Sequence, residues 1–270
     1  MLSERRPKAR SQPGRSIAEF RFYEELNDFL RPELRKRSFS HAFNGTPAVK
    51  DAIEAIGVPH AEVDLVLIDG ESVGFGRHLR HGNRVAVYPV FERLDVSSLT
   101  RLRPRPLRRT RFVLDVHLGT LARYLRLLGF DTLYRNDYGD HEIVRLARGE
   151  SRIILTRDKG LLKHGAVTRG RWIRSTRPLE QIRETLDAFD LIGNVRPFTR
   201  CPVCNGSLRR LSRQKASMLV PARVRERHRQ FARCVGCERI YWPGTHADRI
   251  RAALPGAALD GGRRPSLHRQ

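Results

Sequence analysis

Two Cys-x-x-Cys pairs, Cys201 with Cys204 and Cys234 with Cys237, hold all four cysteines of the chain, with 29 residues between the pairs. Each pair can bend into a knuckle that places two thiolates on one tetrahedral ion, and two knuckles complete a four-thiolate shell. Asn205-Gly206 behind the first pair and Gly236 inside the second are residues that such turns need. A redox Cys-x-x-Cys would not come in two matched copies, and a reducing compartment disfavours disulfides. The spacing therefore predicts one structural Zn²⁺, with an iron–sulfur cluster as the lesser alternative. Four thiolates leave no open coordination position, so this ion can brace a fold but not catalyse. The insert between the knuckles (208–233) is dense in Arg. Phe231, Tyr241 and Trp242 flank it, either as a surface on which bases stack or as the small core of a ribbon.

Charge points to the partner. The formal net charge is +23, and with six Lys, 46 of the 52 basic residues are Arg. A GC-rich coding bias exchanges Lys for Arg but does not create an excess of cations over acids. The guanidinium fork grips phosphate and stacks on bases, which predicts RNA or another polyanion as the partner. No run approaches the roughly 18 apolar residues of a membrane span, and no basic amphipathic helix stands out, so no membrane partner is expected. The basic start, MLSERRPKARSQPGRS, lacks the apolar stretch of a secretory signal. It reads as a disordered tail (1–15) on a cytoplasmic protein.

After the tail, IAEFRFY sets Ala18, Phe20 and Phe22 on one face of a strand, and RSFSHAF does the same with Phe39, His41 and Phe43. TPAVKDAIEAIG predicts a helix capped by Thr46, started by Pro47 and ended by Gly57, with Val49, Ile53 and Ile56 on one face. VDLVLIDGESV is a hairpin around Asp69-Gly70, and RVAVYPVF (84–91) a last strand. The order β-β-α-β-β-β predicts a small α+β domain over 16–97. It resembles the β-grasp, ubiquitin-like fold in its sulfur-carrier branch. Carriers of that branch end in an exposed Gly-Gly, whereas here Tyr88-Pro89-Val90-Phe91-Glu92 runs on into more chain. An adaptor role with a protein partner, or an RNA-positioning role, fits this domain better than carrier chemistry. RLRPRPLRRTR (101–111) has six Arg and two Pro in eleven residues. Within a linker placed at 98–111, it is either a phosphate-contacting strip or a solvated hinge.

From Arg111 strands alternate with helices, which predicts a parallel α/β sheet. RFVL precedes Asp115; LGTLARYLRLLG is helical, with Leu118, Leu121, Leu125 and Leu128 on one face. FDTLY is a strand before Asn136, Asp137 and Asp140, HEIVRLARG a helix, and SRIILT (151–156) a strand before Asp158. RWIRS is a fourth strand, and PLEQIRETLDAF a helix with Leu179, Ile182, Leu186 and Phe189 in register. Ligands of such sheets bind at the carboxyl ends of the strands, where Asp115, Asp140 and Asp158 fall. Converging carboxylates repel unless a cation neutralises them, and Mg²⁺ or Mn²⁺ takes oxygen ligands and activates phosphodiesters. Glu142 is a fourth ligand candidate and Asp137 a loop alternative, while His117 reads as packing or surface. Taken singly, each Asp is also a plausible helix cap.

FVLDVHLGTLARYLRLLGFDTLYRND, DHEIVRLA and RIILTRDKGLL, followed by FTRCPVCNGSL and FARCVGCERIYWPGTH, closely resemble the Mut-seven C-terminal RNase family, a PIN-like group. RFYEELNDFL, FNGTPAVKDAIEAIGVPH and VAVYPVF resemble the ubiquitin-like domain that occurs fused to it. The resemblance implies a PIN-like RNase domain (112–195), a zinc ribbon (196–250) and a trailing tail (251–270). It implies a metal-dependent ribonuclease in which Asp115, Asp140 and Asp158 match the acidic motif positions, with a bound water as nucleophile. The segment Asp137-Tyr138-Gly139-Asp140 leaves the second acid open among Asp137, Asp140 and Glu142. A non-catalytic RNA-binding or ribosome-associated factor, its acids caps or vestiges, is the alternative.

Overall fold

A computed structural model describes residues 15–89, 102 and 110–242. The expected tails apart from Arg15, the linker apart from residues 102, 110 and 111, the end of the strand placed at 84–91, and residues 243–250 lie outside these. The chain divides into two compact units, 1–106 and 107–270.

The first unit is a mixed five-stranded sheet over one helix. Strands β1 (Ser16–Phe22), β2 (Phe39–Phe43), β3 (Val63–Ile68), β4 (Glu71–Ser72) and β5 (Arg84–Pro89) lie in the order β2-β1-β5-β3-β4. β1 and β5 are parallel and the other pairs antiparallel, which is the β-grasp arrangement. Alternation along β1 buries Ala18, Phe20 and Phe22 against Val49 and Ile53 of helix α1 (Val49–Ile56). Each buried Phe contributes about 1.5–3 kcal/mol. The Asp69-Gly70 turn has φ of 52° and 87°, the double positive φ of a type I′ hairpin. Gly57, at φ 122°, stops α1 as expected.

The start of α1 differs from expectation, because Ala48 rather than Thr46 is its N-cap and no side chain caps it. The free N–H groups of Val49 and Lys50 donate instead to the backbone carbonyls of Arg77 and Phe75, and the Thr46 carbonyl receives His78 Nδ1. A distant loop thus does the work expected of the local hydroxyl. Short 3-10 turns at Glu24–Phe29, Pro32–Leu34 and His60–Glu62 were not foreseen.

The second unit opens with a four-stranded, all-parallel sheet, ordered β7-β6-β8-β9. Its elements are β6 (Arg111–Leu114), α2 (Gly119–Leu127), β7 (Asp131–Leu133), α3 (Asp140–Glu150), β8 (Ile153–Thr156), α4 (Lys159–Leu162), β9 (Gly170–Trp172) and α5 (Pro178–Ala188). Leu118, Leu121, Leu125 and Leu128 are buried with Phe112, Leu155, Ile182 and Leu186 in one core. Leu179 is a correction: it is 36% exposed. Gln181 and Thr185 are buried on α5 instead; Gln181 donates to the Ser175 carbonyl and Thr185 to that of Gln181.

The chain then forms a ribbon of three antiparallel strands, β10 (Leu208–Leu211), β11 (Phe231–Cys234) and β12 (Ile240–Tyr241), with α6 (Arg213–Leu219) and α7 (Ala222–Arg227) in the Arg-dense insert. Phe231 is buried with Ala216 and Val220, so it belongs to the ribbon core, whereas Trp242 is 37% exposed. The ribbon is docked on β7 and α2. The buried Arg126 of α2 donates to the carbonyls of Thr132, Pro202 and Val203, and Asp131 accepts from Arg200 and Asn205. Asn205 Oδ1 in turn receives the Thr132 N–H.

Candidate functional site

Asp115 follows β6 and is 5% exposed. Its Oδ1 accepts the His117 N–H at 2.9 Å, capping a 3-10 turn (Val116–Leu118). Its Oδ2 accepts the Arg157 N–H at 2.8 Å and the Thr156 hydroxyl. Thr156 ends β8, the neighbouring strand, and its Oγ1 accepts the Asp158 N–H at 2.8 Å. One hydroxyl therefore ties the two acidic positions together across the sheet. Asp158 caps α4, its Oδ1 taking the Gly160 N–H at 2.7 Å. Behind Asp115, the Tyr134 hydroxyl donates to the Val116 carbonyl, and a Cβ on Gly119 would sit 2.6 Å from that hydroxyl oxygen. Only glycine lets the ring close on the turn.

Asp140 and Glu142 come from the first turn of α3. Gly139 is the cap there, so Asp140 is not. The helix start lies near α4 through His141 and His164, whose rings meet edge-on at 6.1 Å. No hydrogen bond joins Asp140 or Glu142 to Asp115 or Asp158 among the described residues; Glu142 lies 3.7 Å from Arg145. Asp137 is occupied by Arg135 at 2.6 Å, which holds its carboxyl below the usual range. His117 is exposed. Among the described residues, Asp115, Asp140 and Asp158 have no ion-pair partner, although 52 basic residues are present. Sequence reasoning missed Thr156 and Arg157. The guanidinium of Arg157 reaches the carbonyls of Arg174 and Ser175. A Thr ending an apolar strand gives no local sign that its hydroxyl serves two acids.

The four cysteine sulfurs all lie within 4.8 Å of one another. This is the one group of three or more His, Cys, Asp or Glu ligands so gathered among the described residues. Cys201 and Cys237 are 3.6 Å apart and Cys204 and Cys234 3.4 Å, too long for a disulfide. Metal–sulfur bonds of about 2.3 Å in a tetrahedron put sulfurs about 3.8 Å apart, so the four positions suit one ion. Asn205, at φ 64°, turns the first knuckle, and a Cβ on Gly206 would lie 3.1 Å from Cys234 Sγ. In the second knuckle the positive φ belongs to Glu238 rather than Gly236. Burial pushes the Cys201 thiol up. Hydrogen bonds from the Cys204 N–H, the Tyr241 hydroxyl and the Val203 N–H outweigh that and bring it down to about 6. Burial and the neighbouring thiols push Cys204 up to about 12. The first knuckle meets the amino-terminal end of β7, so it sits at the opposite strand ends from Asp115 and Asp158.

Comparison with known proteins adds the lineage. The family described as Mut7-C ubiquitin matches residues 15–95, and the family described as Mut7-C RNAse domain matches residues 110–254. No curated protein and no solved structure matches the chain. The second match covers more than half of the sequence and spans both the parallel sheet and the ribbon, so the chain belongs to the Mut7-C RNase domain family.

Proposed function

We propose that this protein is a PIN-like, metal-dependent ribonuclease that cleaves RNA phosphodiester bonds at the carboxyl ends of β6 and β8. The observation that carries the proposal is the Asp115–Thr156–Asp158 clasp: two acids on adjacent strand ends, without ion-pair partners in a chain of net charge +23. The donor set fits Mg²⁺ or Mn²⁺, since carboxylate oxygens are hard ligands and one oxygen of Asp158 accepts no hydrogen bond among the described residues. Such an ion, when bound, would polarise the phosphodiester and stabilise its leaving oxygen. Asp115 and Asp158 would hold it, and Asp140 and Glu142 would approach from α3. Thr156 and the Arg157 N–H keep the Asp115 carboxylate oriented, and the surrounding arginines draw in the RNA backbone.

The remaining parts follow the same reading. The four thiolates would hold one structural Zn²⁺, and thiols that must stay reduced to do so support the reading of a cytoplasmic protein; no helix of the described residues is long and apolar enough to cross a membrane. The β-grasp unit serves as an adaptor for a protein partner, and the segment boundaries fall near 15, 97, 111, 195 and 250.

A second reading has its own observation. Asp115 and Asp158 are both caps, as expected of a non-catalytic RNA-binding or ribosome-associated factor. Incubation of the purified protein with single-stranded and structured RNA, with Mn²⁺ and with chelator, beside Asp158→Asn, separates the two. Metal-dependent cleavage abolished by Asp158→Asn is the expected result. RNA binding without cleavage would replace the nuclease by the binding factor.

A further inference from the structure

Trp172 ends β9 and is paired across the sheet with Thr156, the residue that joins Asp115 to Asp158. Its half-buried indole carries two cations. Lys159 Nζ lies 3.9 Å from the ring centroid and the Arg174 guanidinium carbon 5.1 Å from it. Lys159 directly follows Asp158 in the chain, and Trp172 is the β9 partner of Thr156, so the ring and the acid belong to neighbouring strand ends. The frame around the ring is fixed. Arg174 donates to the Trp172 carbonyl at 2.9 Å and to Glu184 at 3.4 Å, and the Glu184 carboxylate accepts the backbone N–H groups of Arg174 and Ser175. Arg157 closes the same loop through the Arg174 and Ser175 carbonyls.

A strand end holding a large π-face, with cations lying on it and a carboxylate next door, has the chemistry of a nucleotide subsite. An indole stacks on any base because every base offers a π-face. A lysine resting on that ring has a flexible stem and can exchange its ring contact for a phosphate oxygen when a base arrives. Bases inside a duplex are already stacked and cannot reach a ring set on a sheet edge. We propose that Trp172 is the stacking platform for an unpaired base of the RNA strand whose phosphate lies at Asp115 and Asp158, with Lys159 taking a flanking phosphate and Arg174 holding the ring in its frame. The proposal rests on the ribonuclease reading for the placement of that phosphate.

The chain has two tryptophans, so Trp242→Phe leaves Trp172 as the only indole emitter. In the full-length, zinc-loaded Trp242→Phe protein, without added Mg²⁺ or Mn²⁺, a single-stranded oligoribonucleotide is expected to quench the emission. An abasic oligomer of equal length is expected to leave it unchanged. Trp172→Leu in the same background should bind the base-bearing strand about tenfold more weakly, by anisotropy of the labelled RNA, while Trp172→Phe keeps most of the affinity. Binding by anisotropy with unchanged emission, or equal affinity in Trp172→Leu, would overturn the platform. The emission of the parent protein decides the matter even where Trp172→Leu fails to fold. The Mn²⁺ cleavage assay separates the two proposals: quenching without cleavage keeps the base site and removes the nuclease, and cleavage without quenching does the reverse.

Discussion

Thr156 donates its hydroxyl proton to Asp115 and accepts the Asp158 N–H, so one buried side chain fixes both acids. Thr156→Val keeps the shape but removes the donor, leaving a buried carboxylate short of one bond. The expected loss is about 1.5–3 kcal/mol in urea unfolding, largely recovered by Thr156→Ser; equal stability of the Val variant would mean that the clasp is not formed. Gly129 is a second single-residue constraint. It has φ 97°, and a Cβ there would lie 2.2 Å from the Arg196 carbonyl oxygen, so Gly129→Ala should cost about 2 kcal/mol or more. The residues legible in the sequence were those with a local signature: Gly57 ending a helix, and Asp115 and Asp158 following apolar runs. Thr156 and Arg126 were not legible, and Asn205 was legible as a turn residue but not as the clamp on Thr132 and Asp131, because each acts on a partner tens of residues away. Thr46 misled for the same reason, since carbonyls of Phe75 and Arg77 satisfy the helix it was expected to cap.

At the scale of elements, the amino-terminal end of β7 is held by charge rather than by length, being only Asp131–Leu133. Asp131 accepts from Arg152 at 2.8 Å, Arg200 at 3.0 Å and Asn205 at 2.9 Å. Burial alone would raise its carboxyl, but the bonds from Arg152 and Asn205 and the charges of Arg152 and Arg200 outweigh this and hold it below 3.8. A carboxyl lowered by folding adds stability above its unfolded value, and that stability is lost as pH falls through the lowered value. Unfolding followed from neutrality downward should therefore show an extra loss of stability below about pH 4 that Asp131→Asn lacks, although the variant is less stable at neutral pH. Parallel curves for the two proteins would show that β7 is anchored otherwise. Strand and helix order in this sheet was legible from alternation of apolar runs, whereas the short helix α4 and the two helices of the Arg-dense insert were not. Their apolar contacts lie within a small ribbon core or a four-residue turn, too short for a period to show.

At the scale of the whole molecule, the two compact units have separate cores, so metal loss should touch only one. A chelator strong enough to remove zinc is expected to lower the melting transition of the 107–270 unit and leave that of the first unit in place, with about one zinc per chain released. Coincident loss of both transitions would contradict the independence of the two units, and no metal in the protein as purified would contradict the four-thiolate site. The net charge and the family's motifs made the broad plan legible before any coordinates; the docking of the ribbon was not, since Arg126 sits in a helix where an arginine reads as solvated. That arginine is 4% exposed, and two of its acceptors are carbonyls of the first knuckle. Stopping the chain near residue 195, where the sequence texture changes, would open Arg126 and Asp131 to water and remove the ribbon carbonyls and donors that hold them in place. Residues 107–195 should then fail to give a dispersed NMR spectrum where 107–250 succeed. The ribbon is thus less an appendage to the α/β domain than one of its walls, and the chain is expected to tolerate a cut near 107 but not near 195.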